Sequence, residues 1–510
     1  MDYRSYVADL HLNLHPEQLG ELERWYEHCR RVSDFFTLAY YPYEMVEAGD
    51  GFRYEREISP ELREGQWEAI LAFLERREAE DGFICFPGFE WQGTGEDGDH
   101  NVYLKTSGPI ELPPRYEGLR EAYRGRDAIA IPHHLAYALG HRGKNWDTHD
   151  EAFSPVAEVY SHHGSSERDA TALPMGRHVH MGPRVDDTSV VAGLKRGRHV
   201  GLICSGDNHA VPALTWAGRA GLWARDYSKD ALWEALLARR TFGFTGPRIE
   251  LWCEAEGHPL GSAFATGSDE VELEVSLRAN AKVERLELYR DGDIDAVHVV
   301  PWHRPEGDGP IRFKFRVEFG WGPSTRLFPE ATERLWEGTL TTPGTVVSME
   351  PVFSGFDTRH AIEDAHTVSF AATSRSGDAS YWERDGALRN EGFVFEIEAP
   401  LESSVTLEVA GERFEWPVGR ILAGSFLEVF EAEAKELVAR ASVIESFYRG
   451  DAWYHNAYKL KVHQGFASDL YELRDSFVVR PSESETSWFV KAVQADGQTA
   501  WASPLWIARA

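Results

Sequence analysis

Aspartate, glutamate and histidine side chains follow several short apolar runs in the first half of the chain. In chain order they are Asp9 and His11, Glu90, His133 and His134, His162 and His163, and Asp207 and His209. Histidine is concentrated in this half, since 14 of the 21 histidines lie at or before His209. Carboxylate and imidazole groups together suit zinc, manganese or iron, and a carboxylate can bridge two ions. The sequence therefore predicts a metal centre assembled from distant segments.

The elements that position these side chains are predicted by alternating apolar runs and amphipathic segments, the pattern of βα units. Strands are predicted at residues 6–8, 34–38, 83–86, 128–131, 156–160 and 200–204, with a last helix at 229–240. The carboxyl ends of the strands of an α/β barrel converge on one rim. We therefore expect Glu90, His133 and Asp207 to lie within about 10 Å of one another, the reach of two bridged ions.

The pattern changes after Pro247, where period-two runs such as 271–275 and 312–317 predict antiparallel β structure. We predict a barrel over residues 1–247 and a β domain over 248–322 that residues 441–510 complete. Residues 323–440 are predicted to form a middle β domain that ends in a helix at about 426–440. A chain of 510 residues is long enough for about three domains.

Composition narrows the functional classes. The 53 basic and 83 acidic side chains leave a formal net charge of -30, which opposes non-specific binding to nucleic acids and anionic membranes. The first residues do not resemble a signal peptide, and no apolar stretch is long enough to span a membrane. The four cysteines show no CxxC spacing, so neither a disulfide framework nor a zinc ribbon is indicated. We expect a cytoplasmic protein, with an oligomeric state that the sequence leaves open.

Five short motifs resemble those of the PHP (polymerase and histidinol phosphatase) family of metal-dependent hydrolases. They are Asp-Leu-His-Leu-Asn at 9–13, Pro-Gly-Phe-Glu at 87–90, Gly-Asp-His-Asn-Val at 98–102, Ile-Pro-His-His at 131–134, and Ser-Gly-Asp-Asn-His at 205–209. Their order and approximate spacing agree with that family over residues 1 to about 245. The resemblance implies an α/β fold, a distorted (β/α)7 barrel of the TIM-like kind, and, in one branch, antiparallel β-sandwich-like domains after it.

The resemblance also implies a set of metal ligands for one or two divalent ions, manganese, zinc or iron. One ion would take His11, Glu90 and Asp207, and the other Glu90, His100 and His133. The full predicted ligand set is Asp9, His11, Glu90, His100, His133, Asp207 and His209, with Asn13, His15, His134 and His162 as possible additions. The choice between His133 and His134 stays open, because here the proline precedes the histidines and in the family it follows.

The chain departs from the family pattern at two places. Asn13 stands where the family usually has a second histidine, and residues 39–41 (Ala-Tyr-Tyr) stand where it usually has Thr-Asp-His. Asparagine binds zinc poorly and tyrosine is an uncommon ligand. The third metal position of trinuclear members is therefore expected to be lost, and His15 and His209 are left to complete a site or act as acid or base.

A metal-activated water makes hydrolysis the expected reaction, most simply of a phosphoester in a small organic substrate, with Asp207 or His209 handling protons. The residues predicted to contact the substrate are Tyr41, Arg142, Arg177 and Arg184. Two alternatives remain. The altered ligands could redirect the site to a glycosidic, ester or amide bond or to an elimination, or the chain could be a non-catalytic glycan- or partner-binding protein.

Overall fold

The computed structural model describes residues 2–49, 51, 53–173, 181–209, 217–305, 309–325, 327–331, 333–355, 357–375, 390–440 and 452–510. Two short 3-10 helices, Pro16–Glu21 and Ser468–Leu470, accompany the α-helices and strands. The helices are α1 (Leu22–Val32), α2 (Pro60–Asp81), α3 (Tyr116–Ala122), α4 (Val190–Lys195), α5 (Lys229–Leu237), α6 (Val418–Ala423), α7 (Glu431–Arg440) and α8 (Ala452–His455).

The strands of the first half are β1 (Arg4–Ala8), β2 (Asn13–Leu14), β3 (Phe36–Tyr40), β4 (Tyr43–Glu47), β5 (Arg53–Glu57), β6 (Cys85–Trp91), β7 (His100–Leu104), β8 (Ala128–Pro132), β9 (Val156–Ser161), β10 (Gly164–Ser165), β11 (Gly201–Cys204), β12 (Gly218–Ala224) and β13 (Thr241–Thr245). The next are β14 (Glu250–Ala255), β15 (His258–Pro259), β16 (Ala263–Thr266), β17 (Val271–Arg278), β18 (Val283–Arg290), β19 (Asp293–Val299), β20 (Pro310–Gly320), β21 (Glu333–Thr341), β22 (Thr345–Pro351) and β23 (Arg359–Ile362). The last are β24 (Thr367–Arg375), β25 (Glu391–Pro400), β26 (Ser404–Val409), β27 (Glu412–Pro417), β28 (Phe426–Val429), β29 (Lys459–Val462), β30 (Phe466–Ala467), β31 (Glu472–Val479), β32 (Thr486–Gln494), β33 (Thr499–Ala502) and β34 (Leu505–Arg509).

Helix boundaries in the first half follow from local capping chemistry. The Ser59 side chain accepts a hydrogen bond from the Leu62 amide at the start of α2, Pro60 occupies the first turn, and Gly82 ends the helix at φ 67°. Ser189 and Ser228 cap α4 and α5 in the same way. These caps satisfy backbone amides that have no partner within the helix.

Two sheets carry the predicted site. One has the order β2-β3-β6-β7-β8, in which β2, β3 and β6 are parallel and β7 and β8 pair antiparallel with their neighbours. In the other, β9 pairs parallel with β11 and antiparallel with β10. Apolar side chains from α1, α2 and β3 pack into one buried cluster, and those from β1, β8 and α5 into another.

A third sheet ties the first strand to the end of the chain. Its order is β1-β12-β13-β33-β32-β18-β19, and β34 joins it through β32 and β16. Phe244 of β13 lies opposite Ala500 of β33, and Tyr160 stacks on Trp501 with ring centroids 6.3 Å apart. The C-terminal strands therefore complete the packing around the first half.

The remaining strands form mainly antiparallel sheets. One has the order β15-β14-β17-β31, another β22-β25-β20-β29-β28 with β30 beside β20, and a third β23-β24-β21-β26-β27. The predicted split near residue 322 is crossed by strand pairing, since β20 pairs along its length with β25. The helix predicted at about 426–440 is only partly correct, because β28 occupies its first residues and α7 begins at Glu431.

The mixed α/β class is confirmed, with more residues in strands than in helices. The closed (β/α)7 barrel stays a prediction, because β1, β7 and β8 have antiparallel partners and the described strands of the first half divide among several hydrogen-bonded sheets. The division into domains also stays a prediction. In the described part of the chain, no helix is both long enough and apolar enough to cross a membrane.

Candidate metal centre

The ends of β1, β6, β8 and β11 bring the predicted ligands into one buried place. Asp9 directly follows β1, His133 directly follows β8, and Asp207 lies three residues past the end of β11. Glu90 lies inside β6 rather than after it, because the strand runs on to Trp91. These side chains and that of His11 are all buried, so folding removes five titratable groups from water at one site.

The centre of the site contains His11, Glu90, His133 and Asp207. His11 Nε2 lies 3.5 Å from Glu90 Oε2 and 3.4 Å from Asp207 Oδ1. His133 Nε2 lies 3.8 Å from Glu90 Oε1. One ligand atom from each of His11, Glu90 and His133 lies within 4.8 Å of the others. The expected convergence of Glu90, His133 and Asp207 is therefore confirmed, whereas their role as metal ligands stays a prediction.

The electrostatics of the site fit a cation. Within the described residues, both ring nitrogens of His133 and Oδ2 of Asp9 are buried without a hydrogen-bond partner. Burial raises the pKa of Asp9 to about 7 and that of Asp99 to about 8. Buried polar atoms are normally paired, and buried carboxylates are costly unless a cation compensates them. A divalent ion would supply both the missing partners and the missing charge.

Glu158, in β9, orients the imidazole of His11. Its Oε2 lies 2.9 Å from His11 Nδ1 and also accepts the hydroxyl of Ser205, while its Oε1 accepts the His134 amide at 3.2 Å. A carboxylate on one ring nitrogen fixes the tautomer and leaves the other nitrogen as the metal ligand. Here that other nitrogen is Nε2, which faces Glu90 and Asp207.

Asp207 is held by a second imidazole and by an unusual backbone. His163 Nε2 lies 2.9 Å from Asp207 Oδ2, and His163 Nδ1 lies 2.7 Å from the Tyr137 hydroxyl. Asp207 has φ 51°, a left-handed conformation that few non-glycine residues adopt. Burial would raise the pKa of Asp207, but His11 and His163 hold it well below its ordinary value. Asp207 is thus kept ionised by imidazoles on both sides.

Gly206 allows Asp9 to approach this loop. Its amide donates to Asp9 Oδ1 at 2.7 Å, and the His11 amide donates to the same oxygen at 3.0 Å. A Cβ atom at position 206 would lie 2.1 Å from Asp9 Oδ2. Any residue other than glycine would therefore displace the Asp9 carboxylate.

The mouth of the site contains His15, Asn13, Tyr41 and His209. His15 Nε2 lies 2.7 Å from His209 Nδ1, and the Asn13 amide nitrogen lies 3.2 Å from His209 Nε2. His209 Nε2 is also 3.3 Å from Asp207 Oδ1. Burial and the neighbouring His209 lower the pKa of His15 to about 4, so His15 is neutral at pH 7. Tyr41 packs against both imidazoles and donates its hydroxyl to Glu55 Oε1 at 2.8 Å.

His100 is not brought into the cluster. Its Nδ1 faces the Gly98 carbonyl at 2.8 Å, and its Nε2 lies 3.1 Å from the Lys144 ammonium. Its ring stacks on Tyr116, and Lys144 lies over the same tyrosine at 4.6 Å. Burial lowers the pKa of Lys144 to about 7. Both ring nitrogens of His100 therefore have partners away from the predicted second ion.

The other predicted residues are spread around the site. Arg142 donates to Asp99 Oδ2 at 3.2 Å and to Glu55 Oε2 at 3.3 Å. Arg184 donates to the carbonyls of Asp169 and Leu173, so its guanidinium is used by its own loop. The His162 amide donates to the Gly206 carbonyl. Arg177 lies outside the described residues.

Sequence reasoning missed Asp99 and Glu158 as members of the site, and of the pair His162 and His163 it chose His162 as the possible ligand, whereas His163 is the one that contacts Asp207. Asp99 was visible in the motif at 98–102, where the resemblance favoured the neighbouring histidine. Glu158 stands within an apolar run, and a charged residue on a buried strand needs a partner. The charged residue within this apolar run was therefore the sequence feature that could have identified Glu158 as a member of the site.

Comparison with known proteins gives distant relatives. No family model matches the chain. An uncharacterised protein of Chlamydia pneumoniae is 26% identical over 271 residues, which are 48% of this chain and 42% of that protein. An uncharacterised protein of Chlamydia trachomatis is 28% identical over 167 residues, 30% of this chain and 27% of that protein. The chain thus spans less than half the length of these curated relatives.

One solved structure is similar over much of its length. It is a two-domain protein from Bacteroides vulgatus, described as containing a predicted PHP-like metal-dependent phosphoesterase. The match covers 81% of this chain and 95% of that chain, with 12% identity and a TM-score of 0.32. A TM-score this low does not establish a shared fold.

Proposed function

We propose that this protein is a metal-dependent hydrolase that acts on a phosphoester in a small organic substrate. The observation that carries the proposal is the buried set of His11, Glu90, His133 and Asp207, whose facing atoms lie 3.4–3.8 Å apart. Imidazole and carboxylate donors in this number suit zinc, manganese or iron. A divalent ion held by these residues would supply an acidified water as nucleophile and a positive charge for the substrate oxygen.

The residues of the chain prepare the site for this chemistry. Glu158 holds His11 with Nε2 toward the centre, and His163 positions Asp207 through Nε2, which lies 2.9 Å from Asp207 Oδ2. Because both supports are buried, the donors keep their positions before a substrate arrives. His209 lies at the mouth, between Asp207 and His15, where it can accept or return a proton.

Arg142 is the proposed anchor for an anionic substrate. Its side chain is 35% exposed at the edge of the site, and its two terminal nitrogens point to Asp99 and Glu55. Asp99 and Glu55 raise the pKa of Arg142, so the guanidinium stays charged. A planar guanidinium matches two oxygens of a phosphate group. Tyr41, which donates to Glu55, lies beside it and completes this edge.

A second candidate activity, on a glycosidic, ester or amide bond, is favoured by the mouth of the site. There His15 and His209 contact each other and the Tyr41 hydroxyl is bound to Glu55. Asn13 and Tyr41, which lie beside them, stand at sequence positions where trinuclear members of the PHP family usually have ligands of a further ion. A site with fewer ions offers less positive charge to a phosphate, which makes a neutral substrate the competing proposal.

The experiment that tests the proposal combines metal analysis with a substrate panel. Purified protein is dialysed in buffer containing manganese or zinc, and bound ions are counted by elemental analysis. Phosphomonoesters, phosphodiesters and neutral sugar or acyl esters are then offered. We expect at least one ion per chain and turnover of phosphate esters. Less than about one ion per chain would reject the metal-dependent hydrolase, and turnover confined to neutral substrates would reject the phosphoesterase.

Glu90→Gln and Glu64→Gln form the matched pair for this experiment. Glu90 faces both His11 and His133, whereas Glu64 is an exposed residue of α2. The first change removes a charged ligand without changing its volume, so we expect loss of the ion and of activity. The second should leave both intact.

A further inference from the structure

His133 and His134 present their imidazoles to the same side of the chain. Successive residues of an extended segment normally point to opposite sides. His134 has φ 33°, a strained conformation for a non-glycine residue, and the two ring centroids lie only 4.4 Å apart. Such strain is found where a function requires a particular side-chain direction. Both rings of the pair are buried.

Asp99 faces this pair from the loop that precedes β7. Its Oδ2 lies 3.5 Å from His134 Nε2, and one ligand atom from each of Asp99, His133 and His134 lies within 4.8 Å of the others. Among the described residues, Oδ1 of Asp99 and Nδ1 of His134 are buried without hydrogen-bond partners. The three side chains therefore form a second group of donors beside the one around Glu90.

Both ring nitrogens of His100 are engaged by protein groups and are not available to an ion. The Lys144 ammonium lies 3.1 Å from its Nε2 and is itself buried against Tyr116. A divalent ion bound to His100 Nε2 would have to displace the Lys144 amino group. Among the described residues, Arg142 is the cation that contacts Asp99. It bonds Oδ2 and is partly exposed, so Oδ1 remains for a ligand.

We propose that Asp99, His134 and His133 form a second cation position in this chain, in place of one that uses His100. The inference rests on the proposed function, because it names where a second ion of that same site is held. His133 lies between the two groups of donors. Its Nε2 is 3.8 Å from Glu90 Oε1, and its ring centroid is 4.4 Å from that of His134.

The test is equilibrium binding of cobalt(II) or manganese(II) to the full chain, with the number of ions counted and the cobalt visible absorption recorded. The variants are Asp99→Asn, His134→Gln, His100→Gln and Asp207→Asn. We expect two ions in the wild type and in His100→Gln, and one ion in Asp99→Asn and His134→Gln. The cobalt spectrum of these two variants should lose one component. Far-ultraviolet circular dichroism and urea unfolding in chelator verify that each variant is folded.

The outcomes separate this inference from the proposed function. A wild-type protein that binds no ion rejects the proposed function itself. If Asp207→Asn loses an ion while Asp99→Asn and His134→Gln keep the wild-type number, only the second position is rejected. Loss of an ion in His100→Gln with retention in Asp99→Asn would likewise overturn it. Two different substitutions on the proposed position keep the test decisive if one of them fails to fold.

Discussion

Glu396, between the β sheets, and Asp9, beside the candidate metal centre, are equally withdrawn from water but have different surroundings. Glu396 is 0% exposed and accepts from Tyr471 and Ser348, and it forms ion pairs with Arg278 and Arg312. Asp9 is 1% exposed, and its Oδ2 has no partner in the described residues. Burial alone would raise both pKa values. Lys314, Ser348 and the two arginines instead hold the pKa of Glu396 below its ordinary value.

The difference separates a carboxylate whose charge protein groups compensate from one that the described protein groups leave uncompensated. Glu167 belongs to the first kind, because Lys491 and the Trp501 indole both donate to its Oε2 and Arg168 Nε lies 3.6 Å from its Oε1, which has no hydrogen bond of its own among the described residues. Asp99 belongs to the second kind, because its buried Oδ1 has no hydrogen-bond partner among the described residues, and the buried ring nitrogens of His133 likewise have none. A charge buried among fixed partners stabilises only that arrangement, whereas unpartnered donors raise the free energy of the folded state until an ion binds.

The largest effect expected from this comparison is on the buried pair between β32 and the loop after β10. Lys491→Met removes the ammonium that lies 2.7 Å from Glu167 Oε2 and leaves that buried carboxylate undercompensated. Removing one partner of a buried ion pair costs about 3 kcal/mol of unfolding free energy. Urea unfolding in the absence of metal measures the loss.

Lys435→Met is the control for this change. Lys435 pairs with Glu431 on the exposed surface of α7, so its removal should change the unfolding free energy by less than about 0.5 kcal/mol. Equal losses of unfolding free energy in the two variants would show that the buried Lys491–Glu167 pair contributes no more to stability than the exposed Lys435–Glu431 pair. Glu167 could then no longer serve as an example of a carboxylate that protein groups compensate.

A smaller effect on the unfolding free energy is expected from adding metal. The candidate metal centre is the region where buried ligand atoms have no hydrogen-bond partner among the described residues. Manganese at about 100 times its dissociation constant should raise the unfolding free energy by about 2.7 kcal/mol for each occupied position. Added manganese should raise the unfolding free energy of Lys491→Met as much as that of the wild type, because Lys491 pairs with Glu167 and not with a carboxylate of the candidate metal centre. Glu90→Gln should gain less, and an undiminished gain there would place the bound ion elsewhere.

Part of the candidate metal centre and of the fold could be predicted from the sequence. The positions of Asp9, His133 and Asp207 after apolar runs were enough to predict that they converge, because the direction of a buried strand fixes where its end lies. The mixed α/β class and the change to β structure after residue 247 follow from hydrophobic periodicity. These predictions need only local pattern and the general geometry of strands.

The choice of individual side chains could not be predicted in this way. The left-handed conformation of His134 reverses the direction that alternation assigns to its ring, and φ values of this kind leave little trace in residue type. The motif at 98–102 contains an aspartate and a histidine, and only the placement of Lys144 shows that the histidine is engaged elsewhere. Pairing of β20 with β25 is likewise a long-range choice among similar apolar strands.

The smallest predicted effect is a difference in the pH dependence of stability. The folded pKa of Glu396 is below its ordinary value of 4.5, so its contribution to stability is present above pH 4.5 and is lost as the pH falls through the folded pKa. Asp9 has the opposite sign: with a folded pKa of about 7, its contribution in the metal-free protein is present below 3.8 and is lost as the pH rises toward 7.

Glu396→Gln and Asp9→Asn should therefore change opposite parts of the profile of unfolding free energy against pH in metal-free protein. Glu396→Gln should flatten the loss of stability at pH values below about 4.5, because the titrating carboxylate is gone. Asp9→Asn should leave that acid loss in place and remove a decline between 3.8 and about 7. Urea unfolding at half-unit pH steps with chelator present measures both. If the two variants flatten the same part of the profile, the two carboxylates have equivalent surroundings and the distinction between the regions fails.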